Sequence, residues 1–191
     1  MMLDKLNKKT KRCSQILAWT GGAMIILSAL LVTLEVILRK FFNFSFGGAD
    51  EIAGYAFGIA TSLSLSFALY ERAHIRVDAF YNFMPRIIKV ILDFISILLL
   101  VSFIAVVSYM AFLLLSDTIG SDSHSITPLR VPLSYPQTPW FFGWLACVVS
   151  GFILLITTVQ ALVRKDLALV QSLIGIKSTD ELIDDEAVDQ K

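Results

Sequence analysis

The sequence predicts an all-α integral membrane protein with four transmembrane helices, both termini in the cytoplasm, and a short interfacial helix between helices two and three. Three observations carry this reading. Hydrophobic residues make up 56% of the 191 residues and charged ones only 17%, with a mean hydropathy of +0.73, too apolar for a soluble domain of this size. Four segments stay apolar over about 20 residues, the length a helix needs to cross a hydrocarbon core of about 30 Å. Lys and Arg are unevenly shared among the connections between those segments, which sets an orientation.

Residues 1–14 form a basic cytoplasmic start holding Lys5, Lys8, Lys9, Lys11 and Arg12. The first span, Ile16 to Leu38, is longer than a signal-peptide core and no small-residue cleavage site precedes Arg39, so it reads as an uncleaved helix. The second runs from Ile52 to Tyr70 and the third from Ile87 to Leu115. Lys89 and Asp93 interrupt the first turns of the third; they stand four apart on one face and are expected to pair near the interface. The fourth runs from Trp140 to Val163. None of the runs alternates with period two, so they are helices rather than barrel strands. Residues 15–165 thus make one membrane domain. Residues 166–191 make a cytoplasmic acidic tail, with Asp180, Glu181, Asp184, Asp185, Glu186 and Asp189 and a Ser178 to Glu181 capping box.

Placing both termini inside puts the five basic residues of the start, then Arg72, Arg76, Arg86 and Lys89, then Arg164 and Lys165, on the cytoplasmic side. The other side receives Arg39, Lys40 and Arg130. Eleven against three is a strong positive-inside bias. Aromatic residues fit the same layout, with Phe41, Phe42, Phe44 and Phe46 after span one and Trp140, Phe141, Phe142 and Trp144 opening span four. The outer loop before span four, TPLRVPLSYPQTPW, holds prolines at 128, 132, 136 and 139 and is expected to be extended and stiff.

Span two carries Gly54, Gly58, Ser62 and Ser66 at every fourth position, with Ala60, Ser64 and Ala68 beside them. Such a flat stripe lets another helix approach closely, either a helix of the same subunit or one of a partner. Span four has a shorter version in Gly143, Cys147 and Gly151. Glu35, one turn inside the outer end of span one, is expected to snorkel or to pair with Arg39 rather than to carry a proton. Asp50 and Glu51 suit the positive end of the helix-two dipole, and Glu51 is equally placed to meet Arg39. Cys13 and Cys147 fall at different depths and are expected to be unpaired. Only His74 and His124 could ligate a haem, and the topology puts them on opposite sides. Nucleotide, hydrolase and metalloprotease motifs are absent, which argues against an enzyme.

Between spans two and three the stretch ERAHIRVDAFYNFMP places Val77, Phe80, Tyr81 and Met84 on one helical face, hence the interfacial helix over residues 77–84. The order of Arg39, an aromatic outer loop, Glu51 opening a small-residue helix, R-A-H-I-R-V-D at 72–78, Pro85, and T-P-L and V-P-L at 127–133 resembles the small membrane subunit of tripartite ATP-independent periplasmic (TRAP) transporters. His74, Ile75, Val77 and Asp78 are the most specific part of the resemblance, which covers roughly residues 13–165. Gly47, Gly48 and Ala49 depart from it, standing where a Trp or Pro often precedes the acidic residue.

The resemblance implies a non-catalytic subunit of a sodium-driven importer of organic acids in the bacterial inner membrane. Its implied partners are a large transport subunit that holds the solute and Na+ sites, a periplasmic binding protein and membrane lipids, with no nucleic acid and no cofactor of its own. Arg39, Glu51, Gly54, Gly58, Ser62, His74, Arg76 and Asp78 are then structural or subunit-contact residues, and none is catalytic, substrate-binding or metal-ligating. Two other classes compete: a self-sufficient four-helix exporter using Glu35 for proton exchange, and the membrane anchor of a respiratory complex.

Overall fold

The computed structural model describes residues 2–45, 47–72, 85–164 and 166–175. His74, Arg76, Asp78, the expected interfacial helix at 77–84 and the acidic residues from Asp180 onward lie outside the described residues. Five helices follow in order: α1 (Met2–Phe42), α2 (Ala49–Tyr70), α3 (Arg86–Gly120), α4 (Ser134–Val163) and α5 (Leu167–Ile174). The first four are long and apolar enough to cross a membrane. In lipid a helix satisfies its own backbone, which is why these apolar runs take this form and no other.

The helices outrun the apolar segments that predict them. At 1.5 Å per residue, the 41 residues of α1 reach about 60 Å, twice the hydrocarbon thickness, so α1 projects from the bilayer. Its end is set by Asn43, whose φ of 50° is a left-handed conformation that Asn tolerates. Helix α3 starts directly after Pro85, at φ −66° and ψ 152°, and ends before Asp122 at φ 48°. Helix α4 begins at Ser134 and takes in both Pro136 and Pro139, so the second half of the proline-rich loop is helical and not extended. A proline in a first turn lacks an N–H that had no partner there in any case, which makes Pro136 harmless.

Packing runs α1 on α2, α2 on α4 and α4 on α3, with a lesser contact of α1 on α4. The N-terminus of α1, the C-terminal ends of α2 and α4 and the start of α3 share one end, called here the terminal side; the loops after α1 and α3 share the other, the loop side. Helix α2 is the middle member and its small residues divide between two neighbours. A Cβ added at Gly21 of α1 would lie 2.9 Å from the Ala60 carbonyl oxygen and 3.2 Å from Ser64 Oγ. One added at Gly143 of α4 would lie 2.7 Å from the Ser62 backbone carbon. Ala60, Ser62 and Ser66 are buried accordingly.

On the terminal side, Leu69 of α2, Val90, Ile97 and Val101 of α3, and Leu154 and Ala161 of α4 form an apolar cluster that α5 completes with Val170 and Ile174. Asp166 caps α5, accepting the Leu169 N–H at 3.0 Å. Arg72, at φ 56°, donates from Nη1 to the Gly175 carbonyl at 3.3 Å, and Lys11 pairs with Glu71 at 3.0 Å. The chain following span four, expected to open the tail, is therefore bound to the bundle. Cys13 is exposed and Cys147 buried, and both are free.

The packed Gly143 and the open Gly58 are told apart by a simple test. Gly143→Ala should lower the melting temperature of the chain in detergent, at a cost of about 1–3 kcal/mol for overpacking against backbone. Gly58→Ala, where an added Cβ meets nothing within 4 Å, should leave it unchanged or slightly raised; equal losses would refute the division of the stripe.

Candidate functional site

On the loop side, two carboxylates assemble the connections around the N-terminus of α2. Glu35 of α1 is only 8% exposed. Its Oε1 accepts the Ser45 hydroxyl at 2.8 Å and its Oε2 accepts the Ala49 N–H at 3.2 Å. Ser45 Oγ in turn accepts the Gly47 N–H at 3.2 Å. Glu35 thus serves as a cap delivered from a neighbouring helix: it takes one of the four N–H groups that α2 leaves without an internal acceptor, and its charge faces the positive end of that dipole. The partners of Glu35 are Ser45 and Ala49, not Arg39, which is exposed. A carboxylate already saturated by donors suits anchoring far better than proton exchange.

Glu51, in the first turn of α2, makes the second junction. Its Oε1 accepts the Tyr55 hydroxyl at 2.6 Å, and its Oε2 accepts the Thr127 hydroxyl from the other loop. Thr127 also meets Ser125. The expectation that Glu51 either caps its own helix or meets Arg39 gives way to a contact 76 residues along the chain. That loop is itself a folded hairpin: Ser125 N–H donates to the Val131 carbonyl at 2.9 Å, Leu133 N–H to Ser123 at 3.0 Å, and Arg130 N–H to Thr127 at 3.1 Å. His124 and Pro132 face each other across it. The loop is thus not the extended segment its prolines predict: its first half is a hairpin and its second half the start of α4.

Gly48 explains the local departure of the sequence from a Trp or Pro. A side chain there would collide with Leu129, its Cβ 2.6 Å from Leu129 Cγ, so the hairpin closes over the α1–α2 connection at a glycine. Gly47, at φ 58°, takes the left-handed turn that brings the chain there.

An open cleft of about 590 Å³ lies between the hairpin and the first turns of α2, near Glu51, Tyr55 and His124. A smaller groove of about 150 Å³ continues down α2 past Gly54 and Gly58, with Pro136, Gln137 and Trp140 on its far wall. Gln137 Oε1 and Trp144 Nε1 are buried there or close by without hydrogen-bond partners. Ile126 stands fully exposed at the hairpin tip. Among the described residues, no three His, Cys, Asp or Glu side chains are grouped to hold a metal.

The structure thus brings Glu51, Gly54 and Gly58 together on one open surface, turns Ser62 inward against Gly143, and leaves Arg39 apart on α1. It adds Glu35, Ser45, Gly48 and Thr127, which the sequence did not single out as a group. Only their spacing about two helix ends hinted at it. The family model described as "Tripartite ATP-independent periplasmic transporters, DctQ component" matches residues 28–165. No curated protein matches and no solved structure matches.

Replacing Glu51 with Ala should release the hairpin while the helices stand. Hydrogen exchange at the Ser125 and Leu133 amides should then accelerate by about 10- to 100-fold, matching a loss of about 1–3 kcal/mol, with α3 unaffected; unchanged protection would show that the hairpin holds without Glu51.

Proposed function

The chain belongs to the DctQ component family of tripartite ATP-independent periplasmic transporters, and from that membership we propose that it braces the large transport subunit of a sodium-driven importer of organic acids. As a member of the family it is a multi-pass inner-membrane protein, a small permease component and not an enzyme. Such components work with a large membrane subunit and a periplasmic binding protein. In our reading the Na+ and solute sites belong to the large subunit, and this chain supplies no transport chemistry.

The observation that favours bracing is the division of the α2 stripe. Its half toward the terminal side is spent on packing inside the subunit, at Ala60, Ser62 and Ser66. Gly54 and Gly58 meet nothing within 4 Å. Small residues four apart on an open helix face permit a partner helix to approach closely in lipid, where packing rather than water exclusion drives association. We assign that face to the large subunit. With the positive-inside orientation, the hairpin at 121–133 stands on the periplasmic side and is available to the binding protein.

Purification of the tagged chain from its native membrane in mild detergent should recover a stoichiometric partner of about a dozen spans. Gly58→Leu should cut that recovery by at least about tenfold, the effect of losing roughly 1.4 kcal/mol, while the chain alone keeps its elution volume. Full recovery with Gly58→Leu would move the interface elsewhere, and recovery of the chain by itself would remove the companion-subunit reading. Orientation has its own check. In intact cells with the outer membrane opened, a membrane-impermeant maleimide should label Ile126→Cys and leave Cys13 unlabelled; the reverse pattern would invert the topology.

A further inference from the structure

Helix α1 is the outer member of the row, packed on α2 and only lightly on α4, and its two faces differ. One face turns inward: Ser14 is buried, and Gly21 lies against Ala60 of α2. Lys11 reaches Glu71 at the end of α2, at 3.0 Å. The other face is uncovered along its length. With about 3.6 residues per turn, Lys8, Arg12, Ile16, Trp19, Ala23 and Ile26, three or four apart, fall on one stripe there, and Lys9 stands at its edge. All seven are exposed, Trp19 by 81%.

The stripe changes character with depth. Its apolar part begins at Ile16, and Ile26 lies about 15 Å below, one leaflet deep. In the other direction Arg12 lies about 6 Å beyond Ile16 and Lys8 about 12 Å, against a headgroup layer of roughly 5–7 Å. Long basic side chains bend their heads along their stems, which brings these cations to the level of the lipid phosphates. Trp19 sits about one turn inside, at the depth where an indole meets the glycerol esters.

The charge on this face is uncompensated. Residues 2–12 hold five basic residues against one acid, Asp4. Lys8, Lys9 and Arg12 have no ion-pair partner among the described residues, since Glu71 is taken by Lys11. The chain's own acidic residues from Asp180 onward follow α5, which packs on α3 and α4, across the row from this face. A basic cluster beside a membrane span favours anionic over zwitterionic headgroups by roughly fivefold per Lys or Arg.

We propose that the outward face of α1 binds anionic phospholipid of the leaflet on the terminal side, with phosphates at Lys8, Lys9 and Arg12, the ester region against Trp19 and an acyl chain along Ala23 and Ile26. Helix α1 is then the lipid-facing edge of the subunit, apart from the open Gly54 and Gly58 face of α2.

Fluorescence quenching by brominated lipids tests this in vesicles that hold the full chain with whatever subunit co-purifies. The signal of Trp19 is the difference between the unmodified chain and Trp19→Phe. Brominated phosphatidylglycerol should quench it at a mole fraction at least about tenfold lower than brominated phosphatidylcholine, a modest value beside roughly fivefold for each of three cations. The exposed triple variant Lys8→Gln/Lys9→Gln/Arg12→Gln should bring the two lipids within about twofold. Salt at about 1 M should do the same to the unmodified protein, where no substitution can disturb folding or insertion. Equal quenching by the two lipids, or a preference untouched by both the variant and salt, would overturn the assignment. So would a Trp19 that neither lipid quenches, which would mean that protein covers this face. A preference that appears only once residues 176–191 are removed would give the cations to the acidic tail instead.

Discussion

The closeness with which α2 is approached from two sides constrains everything else in this fold. In lipid the apolar side chains of a helix gain nothing by leaving their surroundings, so helices associate only where backbones come near enough for dense van der Waals contact. Gly21 on α1 and Gly143 on α4 are the two points where α2 is met at that range, against Ala60 and Ser62. Because α1 and α4 both lean on α2 and hardly on each other, the subunit is a row of helices rather than a closed bundle. Wide apolar faces of α1 and α3 remain uncovered, with Trp19, Ile26, Leu30, Leu99 and Phe103 exposed.

Polar interactions are gathered at the two ends, where they are effective and where water or headgroups tolerate them. Glu35 and Glu51 would be costly at mid-membrane. Placed around the N-terminus of α2, each accepts two hydrogen bonds, and together they join α1, α2 and both loops of that side. The other end is held by an ion pair, by Arg72 reaching the Gly175 carbonyl, and by the apolar face of α5. The subunit is thus pinned at both ends and open along its sides.

The carboxylate that the sequence offers for proton exchange, Glu35, is engaged by donors on both oxygens. The grooves that do exist lie at subunit faces and at a helix seam. Family membership makes this chain a small permease component of a multi-subunit transporter.

Spans and helical class were legible because they depend on a local quantity, about 20 apolar residues in a row. The family was legible from the order of Arg39, Glu51, the R-A-H-I-R-V-D stretch and the proline loop. Helix α5 was not, because LALVQSLI is too short to cross a membrane and its apolar side acquires meaning only against Val90, Ile97 and Ala161. Nor was the destination of Glu35 or Glu51, since Arg39 four residues away is the obvious local partner and Thr127 is 76 residues off. For the stripe on α2, periodicity showed that close packing would occur and left open with what. The tertiary structure divided it, turning Ser62 and Ser66 inward and leaving Gly54 and Gly58 to the outside. The sequence by itself determined what each segment is, because insertion in a bilayer responds to hydropathy along the chain; which faces meet and which stay open was decided only in three dimensions, because that depends on the distance between backbones.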